Sequence, residues 1–134
     1  MPSFMFNDCD MRILVAEDNP INQQILEVIL RLRHWECTIV NNGLEAVEEA
    51  RKTKYSLIFM DINMPVLNGI EATKEIRTTD KNTPIIAITA NDDDYYRQKS
   101  FDAGMNGFIS KPVNRKAIYN AVLDLNNNIA SLPL

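Results

Sequence analysis

Leu57-Ile58-Phe59-Met60-Asp61 decides the fold: four apolar side chains in a row, then one carboxylate. A run without alternation suits a strand buried on both faces, as in a parallel sheet with helices on either side. Such a strand offers a charge no solvent-facing position. Asp61 therefore falls where the strand stops, at the carboxyl edge, where open α/β sheets hold their ligands. Ile62-Asn63-Met64-Pro65 and then Asn68-Gly69 break the pattern and make a loop. On this stretch alone, an aspartate that merely opens a turn is a sufficient account.

Upstream, Ile13-Leu14-Val15-Ala16 reads as another buried strand running straight into Glu17-Asp18. Asn19 caps the helix that follows, and Pro20 suits its first turn. Ile21, Ile25, Val28, Ile29 and Leu32 then recur at helical spacing. Cys37-Thr38-Ile39-Val40 is a strand, and Asn42-Gly43 opens a helix with Leu44, Val47 and Ala50 on its apolar side. Downstream, a helix is predicted from Gly69 to Thr78, with Ile70, Thr73 and Ile76 or Arg77 along one side. Pro84 introduces the strand Ile85-Ile86-Ala87-Ile88-Thr89. Asp92-Asp93-Asp94 favour the positive end of a helix reaching about Ala103. Gly107-Phe108-Ile109-Ser110 is a short strand ended by Lys111-Pro112. Asn114 caps a last helix with Ile118, Ala121, Val122 and Leu125 inward.

Five strands alternating with five helices mean right-handed βαβ units. The predicted fold is a doubly wound, flavodoxin-like (βα)5 parallel sheet of strand order 2-1-3-4-5. No internal repeat and no boundary divides it. Residues 1–10 read as a tail or linker remnant, 11–128 as the domain and 129–134 as a C-terminal tail. The length of 134 residues suits one domain, and 46% hydrophobic with 24% charged residues is ordinary for a soluble one.

A net charge of −4 argues against unspecific attraction to nucleic acid or anionic lipid. Cys9 and Cys37 make neither a zinc pattern nor a disulfide framework, so reduced thiols and a cytoplasmic setting are expected. No apolar run is long enough to span a bilayer, and Met1 to Asp10 carry no basic n-region of a signal peptide. His34, the only histidine, reads as a surface residue near the end of the first helix. It has no Gly-rich phosphate loop of the Walker kind beside it, so an ATP-using kinase is excluded.

Strand order 2-1-3-4-5 sets strands one and three side by side, and Glu17, Asp18 and Asp61 emerge together there. Three crowded carboxylates repel one another unless a cation or protons intervene. Few ligands, all of them oxygen, suit magnesium. Thr89 ends strand four and Lys111 ends strand five on the same edge. A carboxylate so placed can act as a nucleophile and form an acyl phosphate. Magnesium and a lysine would neutralise charge building on the phosphoryl group, and the hydroxyl would hydrogen-bond it. Each residue alone has a plainer account: a solvated helix start for Glu17 and Asp18, a locally bonded hydroxyl for Thr89, a surface lysine for Lys111, core packing for Phe108. Their joint placement at four strand ends outweighs those accounts.

On these residues the chain resembles the response-regulator receiver domains of two-component signalling. The resemblance is carried by Ile13 to Asn19, Met60-Asp61, Met64-Pro65, Asn68-Gly69, Thr89-Ala90 and Lys111-Pro112, and covers about Met11 to Leu125. Glu17-Asp18-Asn19-Pro20-Ile21-Asn22 is most similar to receivers of hybrid sensor histidine kinases. The resemblance implies that Asp61 accepts the phosphoryl group and that Glu17, Asp18, Asp61 and the Asn63 backbone carbonyl bind Mg2+. It implies that Thr89 and Lys111 contact the phosphoryl group, that Thr89 and Phe108 form the switch, and that the Lys111-Pro112 bond is cis, a form proline makes feasible. Phe108 stands where tyrosine is frequent, and Leu67 where methionine is. Asn63 and Asn91, each two residues beyond a site residue, are expected to tune phosphoryl lifetime.

The donor so implied is a phosphohistidine on a histidine kinase or a histidine-containing phosphotransfer domain. The chain itself is expected to be no enzyme beyond its own phosphotransfer and autodephosphorylation. It is expected to act as a monomer or weak dimer, through an output partner the sequence does not name, with no direct contact to nucleic acid or membrane. Two readings compete with this one. A phosphorylation-independent binding module of the same fold would not need the complete acid, threonine and lysine set. A small-molecule enzyme fares worse: Glu17-Asp18 would repel a flavin phosphate, and a phosphatase would want an acid where Asn63 stands.

Overall fold

The computed structural model describes residues 11–90 and 93–131. The expected tail at 1–10 with Cys9, the lifetime candidate Asn91, Asp92 and residues 132–134 lie outside the described residues. Five strands alternate with five helices: β1 (Arg12–Ala16), α1 (Pro20–Arg31), β2 (Glu36–Val40), α2 (Gly43–Lys52), β3 (Leu57–Asp61), α3 (Gly69–Arg77), β4 (Ile85–Thr89), α4 (Asp94–Ala103), β5 (Gly107–Ser110) and α5 (Arg115–Ser131). All strand pairs are parallel, in the order β2-β1-β3-β4-β5. This is the predicted doubly wound sheet. Every residue of β3 and β4 is buried, as their unbroken apolar runs require.

Alternation along the strands splits the core into two layers. Ile13, Val15, Leu57, Phe59, Ile86, Ile88 and Ile109 face α1 and α5, meeting Leu26, Leu30, Trp35, Ile118 and Val122. Leu14, Ala16, Ile58, Met60, Ile85 and Ala87 face the other side, meeting Ala46, Val47, Ala72, Ile76 and Met105. Each large aliphatic buried this way contributes about 1.5–3 kcal/mol. The register is what matters for function: it pairs Ala16 with Met60, Asp61 with Ile88 and Thr89 with Ser110, so the strand ends come level.

Short polar side chains start the helices. Asn19, Asn42, Asn68, Asp93 and Asn114 each accept a backbone N–H of the first turn, which offsets the orphan donors there. Gly69 is required for a second reason: a Cβ there would run into the Asp61 carbonyl oxygen, so only glycine lets α3 begin against the end of β3.

Three expectations need correction. Of the apolar series expected on α1, only Ile29 is buried; Leu26 and Leu30 complete the buried face, while Ile21, Ile25, Val28 and Leu32 are exposed. The helix carries two adjoining apolar stripes, and the sheet takes the other one. On α2, Leu44 is exposed and Ala46 takes its place beside Val47. The last helix continues to Ser131, past the expected domain end at residue 128, because nothing from Asn126 to Ser131 is a proline or glycine that would stop it.

Candidate phosphoacceptor site

Asp61 is the last residue of β3 and only 2% exposed; Glu17, one residue past β1, is 1% exposed. Two carboxylates this buried need compensation. Lys111, just past β5, supplies it. Its ammonium lies 3.2 Å from Asp61 Oδ2 and 3.0 Å from Glu17 Oε1, bridging the two acids. Its own backbone N–H donates to the Thr89 carbonyl at 2.8 Å, fixing where the side chain starts. The Lys111–Pro112 peptide is cis.

The remaining oxygens are also held. Glu17 Oε2 accepts the Asn19 N–H at 3.1 Å, and Asp61 Oδ1 accepts the Asn63 N–H at 3.3 Å. Asp18 is exposed, yet one of its carboxylate oxygens lies within 4.8 Å of an oxygen from each of Glu17 and Asp61. Thr89 is fully buried at the end of β4.

Electrostatics follow from the crowding. Burial, and next the negative charge of Glu17, push the Asp61 carboxyl up to about 7, against the pull of Lys111. Burial works against the Lys111 ammonium too, but the hydrogen bond to Glu17 and the attraction of Asp61 carry its pKa above the ordinary value. A divalent cation would relieve the same repulsion. The donor set fits one: three carboxylates that converge, with oxygen ligands only, match the preference of Mg2+.

Glu17, Asp18, Asp61, Asn63, Thr89 and Lys111 are thus brought to one edge of the sheet. Phe108 sits on β5 opposite Ala87, half-buried, with the Arg97 guanidinium 4.6 Å from its ring centroid. His34 is exposed beyond the end of α1, as expected. Sequence reasoning passed over Arg97, whose place above Phe108 depends on how α4 lies across β5. It also passed over Gln23, the middle of three consecutive amide side chains, Asn22-Gln23-Gln24, which spacing does not tell apart.

The family of response regulator receiver domains matches residues 13–123. This chain belongs to that family. A receiver domain is the part of a two-component signalling system found in response regulators and in hybrid kinases. Hybrid signal transduction histidine kinase I of Dictyostelium discoideum is 36% identical over 120 residues, 83% of this chain but 7% of that protein. The chain thus spans a small fraction of that curated relative. Among solved structures, the receiver domain of sensor histidine kinase PA1611 from Pseudomonas aeruginosa has a magnesium ion coordinated in its active site cleft. It is 38% identical, with a TM-score of 0.81 over 87% of this chain and 98% of that one. A chain in the co-crystal of the Saccharomyces cerevisiae histidine phosphotransfer protein Ypd1 with the receiver domain of Ssk1 is 33% identical. Its TM-score is 0.83 over 92% of this chain and 94% of that one. Among the described residues, no helix is long and apolar enough to cross a membrane.

Proposed function

We propose that this receiver domain takes a phosphoryl group from a phosphohistidine onto Asp61 and uses it to switch a partner-binding surface. The observation that carries this is the buried Asp61 carboxylate bridged to Glu17 by Lys111, with Asp18 within reach. Glu17, Asp18, Asp61 and the Asn63 carbonyl would hold Mg2+, which when bound neutralises charge on the phosphoryl oxygens. An Asp61 oxygen attacks phosphorus, the phosphorus–nitrogen bond breaks, and the histidine imidazole leaves with its electron pair. Lys111 pairs with the phosphoryl oxygens as charge develops, and the Thr89 hydroxyl donates to one of them afterwards. Water later cleaves the acyl phosphate. Asn63, exposed beside Asp61, and Asn91 would set how readily that water enters. The domain turns over no substrate but its own phosphoryl group.

The donor would be a histidine kinase or a histidine-containing phosphotransfer domain. Support comes from the kinase relatives, from the Ypd1 co-crystal, and from the exposed apolar stripe Ile21, Ile25, Val28 and Leu32 on the helix that leaves the site. A cytoplasmic setting agrees with the free Cys37 thiol.

Incubation with acetyl phosphate and Mg2+, read by intact mass and peptide mapping, tests the reading. One base-labile phosphoryl group is expected on Asp61, and none in Asp61→Asn. Stable labelling of Ser56, Ser100 or Ser110 instead would overturn it.

A further inference from the structure

Asp18 is the weak point of the acidic cluster. Glu17 and Asp61 are buried and tied by Lys111 and by backbone N–H groups, whereas Asp18 is exposed and no hydrogen bond from a described residue holds its carboxylate. The backbone therefore sets where its Cβ starts, and χ1 and χ2 choose among the rotamers open from there. The peptide plane joining Glu17 to Asp18 fixes the position from which that third carboxylate can reach the cleft.

One side chain fixes that plane. Gln23, one turn into α1 and half-buried, donates from Nε2 to the Glu17 carbonyl oxygen. The same amide nitrogen donates to Asn41 Oδ1 at 2.8 Å. Asn41 is itself anchored, its backbone N–H donating to Glu45 Oε1 at 2.7 Å. One peptide unit earlier, the Glu17 N–H donates to the Val40 carbonyl at 3.1 Å. The turn after β1 is thus pinned from β2, α1 and the start of α2, and Gln23 is the member that touches the Glu17–Asp18 peptide.

We propose that Gln23 is a positioning residue for the cation site: by holding the Glu17 carbonyl it keeps Asp18 aimed at Glu17 and Asp61 before any ion arrives. This rests on the metal reading above. Groups that orient metal ligands through a second hydrogen bond contribute to affinity although they never touch the ion. Preorganisation matters most for Mg2+, which demands near-ideal geometry and binds such clefts through few carboxylates.

Calorimetric or NMR titration of the full chain with Mg2+ tests this, comparing wild type with Gln23→Met, which keeps length and loses both donated bonds. The dissociation constant should rise about tenfold in the variant, with unchanged far-ultraviolet circular dichroism. The Asp18 signals should show the largest chemical-shift difference between the two metal-free proteins. A merely structural Gln23 would lower the unfolding temperature in EDTA and leave the dissociation constant where it was. Should Gln23→Met not fold, Asn41→Ala removes the anchor from the other end and should weaken Mg2+ in the same direction. Equal affinity in wild type and the folded variant overturns the role of Gln23 while leaving the metal reading intact. A wild-type protein that does not bind Mg2+ overturns both.

Discussion

The Lys111 ammonium lies 3.2 Å from Asp61 Oδ2 although the two residues are 50 positions apart in the chain. Lys111 is thus the counter-charge that the chain itself brings to Asp61 and Glu17. Its removal should be felt before any chemistry. In Lys111→Ala the Asp61 carboxyl should titrate above about 7, since the one opposing charge is gone. Stability should fall by about 1–3 kcal/mol, and labelling by acetyl phosphate should slow by a factor on the order of 10². Carboxyl-carbon NMR titration, thermal unfolding and intact mass check the three effects. Labelling at the wild-type rate would show that Lys111 serves only the resting state.

The Asp61 carboxyl also sets a pH dependence whose sign is unusual for an acid. Its folded pKa is pushed up to about 7, against 3.8 as its ordinary value. Between those values the folded protein binds more protons than the unfolded chain, so stability falls as pH rises. Metal-free protein should therefore lose about 4 kcal/mol from this group between about pH 4 and about pH 7. Mg2+ needs the ionised carboxylate, so its stabilising effect should grow over the same interval. Thermal unfolding in EDTA and in Mg2+ measures both trends. Asp61→Asn should flatten the metal-free slope; a slope unchanged in that variant would assign the dependence elsewhere.

Much of the site was legible because each of these residues ends a strand or comes just after one. Asp61 closes an apolar run, Glu17-Asp18 follow Ala16, Thr89 ends β4 and Lys111 follows Ser110, so locating the strands located the cleft. The face of α1 was not legible. Ile21, Ile25, Val28 and Leu32 make a better apolar stripe by spacing than Leu26, Ile29 and Leu30, yet the second stripe is the one the sheet covers. A helix apolar on two adjoining faces gives a periodicity that does not say which face is inside. Gln23 and Arg97 were invisible for a related reason: their partners, the Glu17 carbonyl and the Phe108 ring, are set by tertiary placement and not by spacing.

That exposed stripe carries its own prediction. Ile21 is 67% and Val28 60% exposed, and Ile25 and Leu32 continue the face beside Arg115. Contiguous apolar surface of this kind marks an interaction site. Ile25→Glu and Val28→Glu should each slow transfer from a phosphorylated histidine phosphotransfer protein about tenfold or more. Dividing that rate by the acetyl phosphate rate of the same variant removes any effect on the cleft itself. An unchanged ratio in both variants would place the donor on another face.

An aspartyl phosphate brings roughly two negative charges to the end of β3. Thr89, fully buried at the end of β4, would be drawn toward it, and space would open beside β4. Phe108 is the ring placed to respond: it is half-buried on β5 and covered from outside by Arg97 of α4 at 4.6 Å. That cover is worth about 0.5–1 kcal/mol, little enough for a local charge change to overcome. The helix that supplies it is weakly held. Within α4 only Ser100 and Ala103 are buried, while Tyr95 and Phe101 are exposed. Phosphorylation should therefore shift an existing balance between two α4 placements and leave the sheet unchanged. Amide exchange should quicken or slow across α4 and β5 on phosphorylation. Arg97→Ala should shift the same amides without phosphate, because the ring loses its outer contact. Exchange changes confined to the loops after Asp18 and Asp61, with Thr89 to Lys111 silent, would mean that Phe108 is fixed core and that the signal leaves by another route.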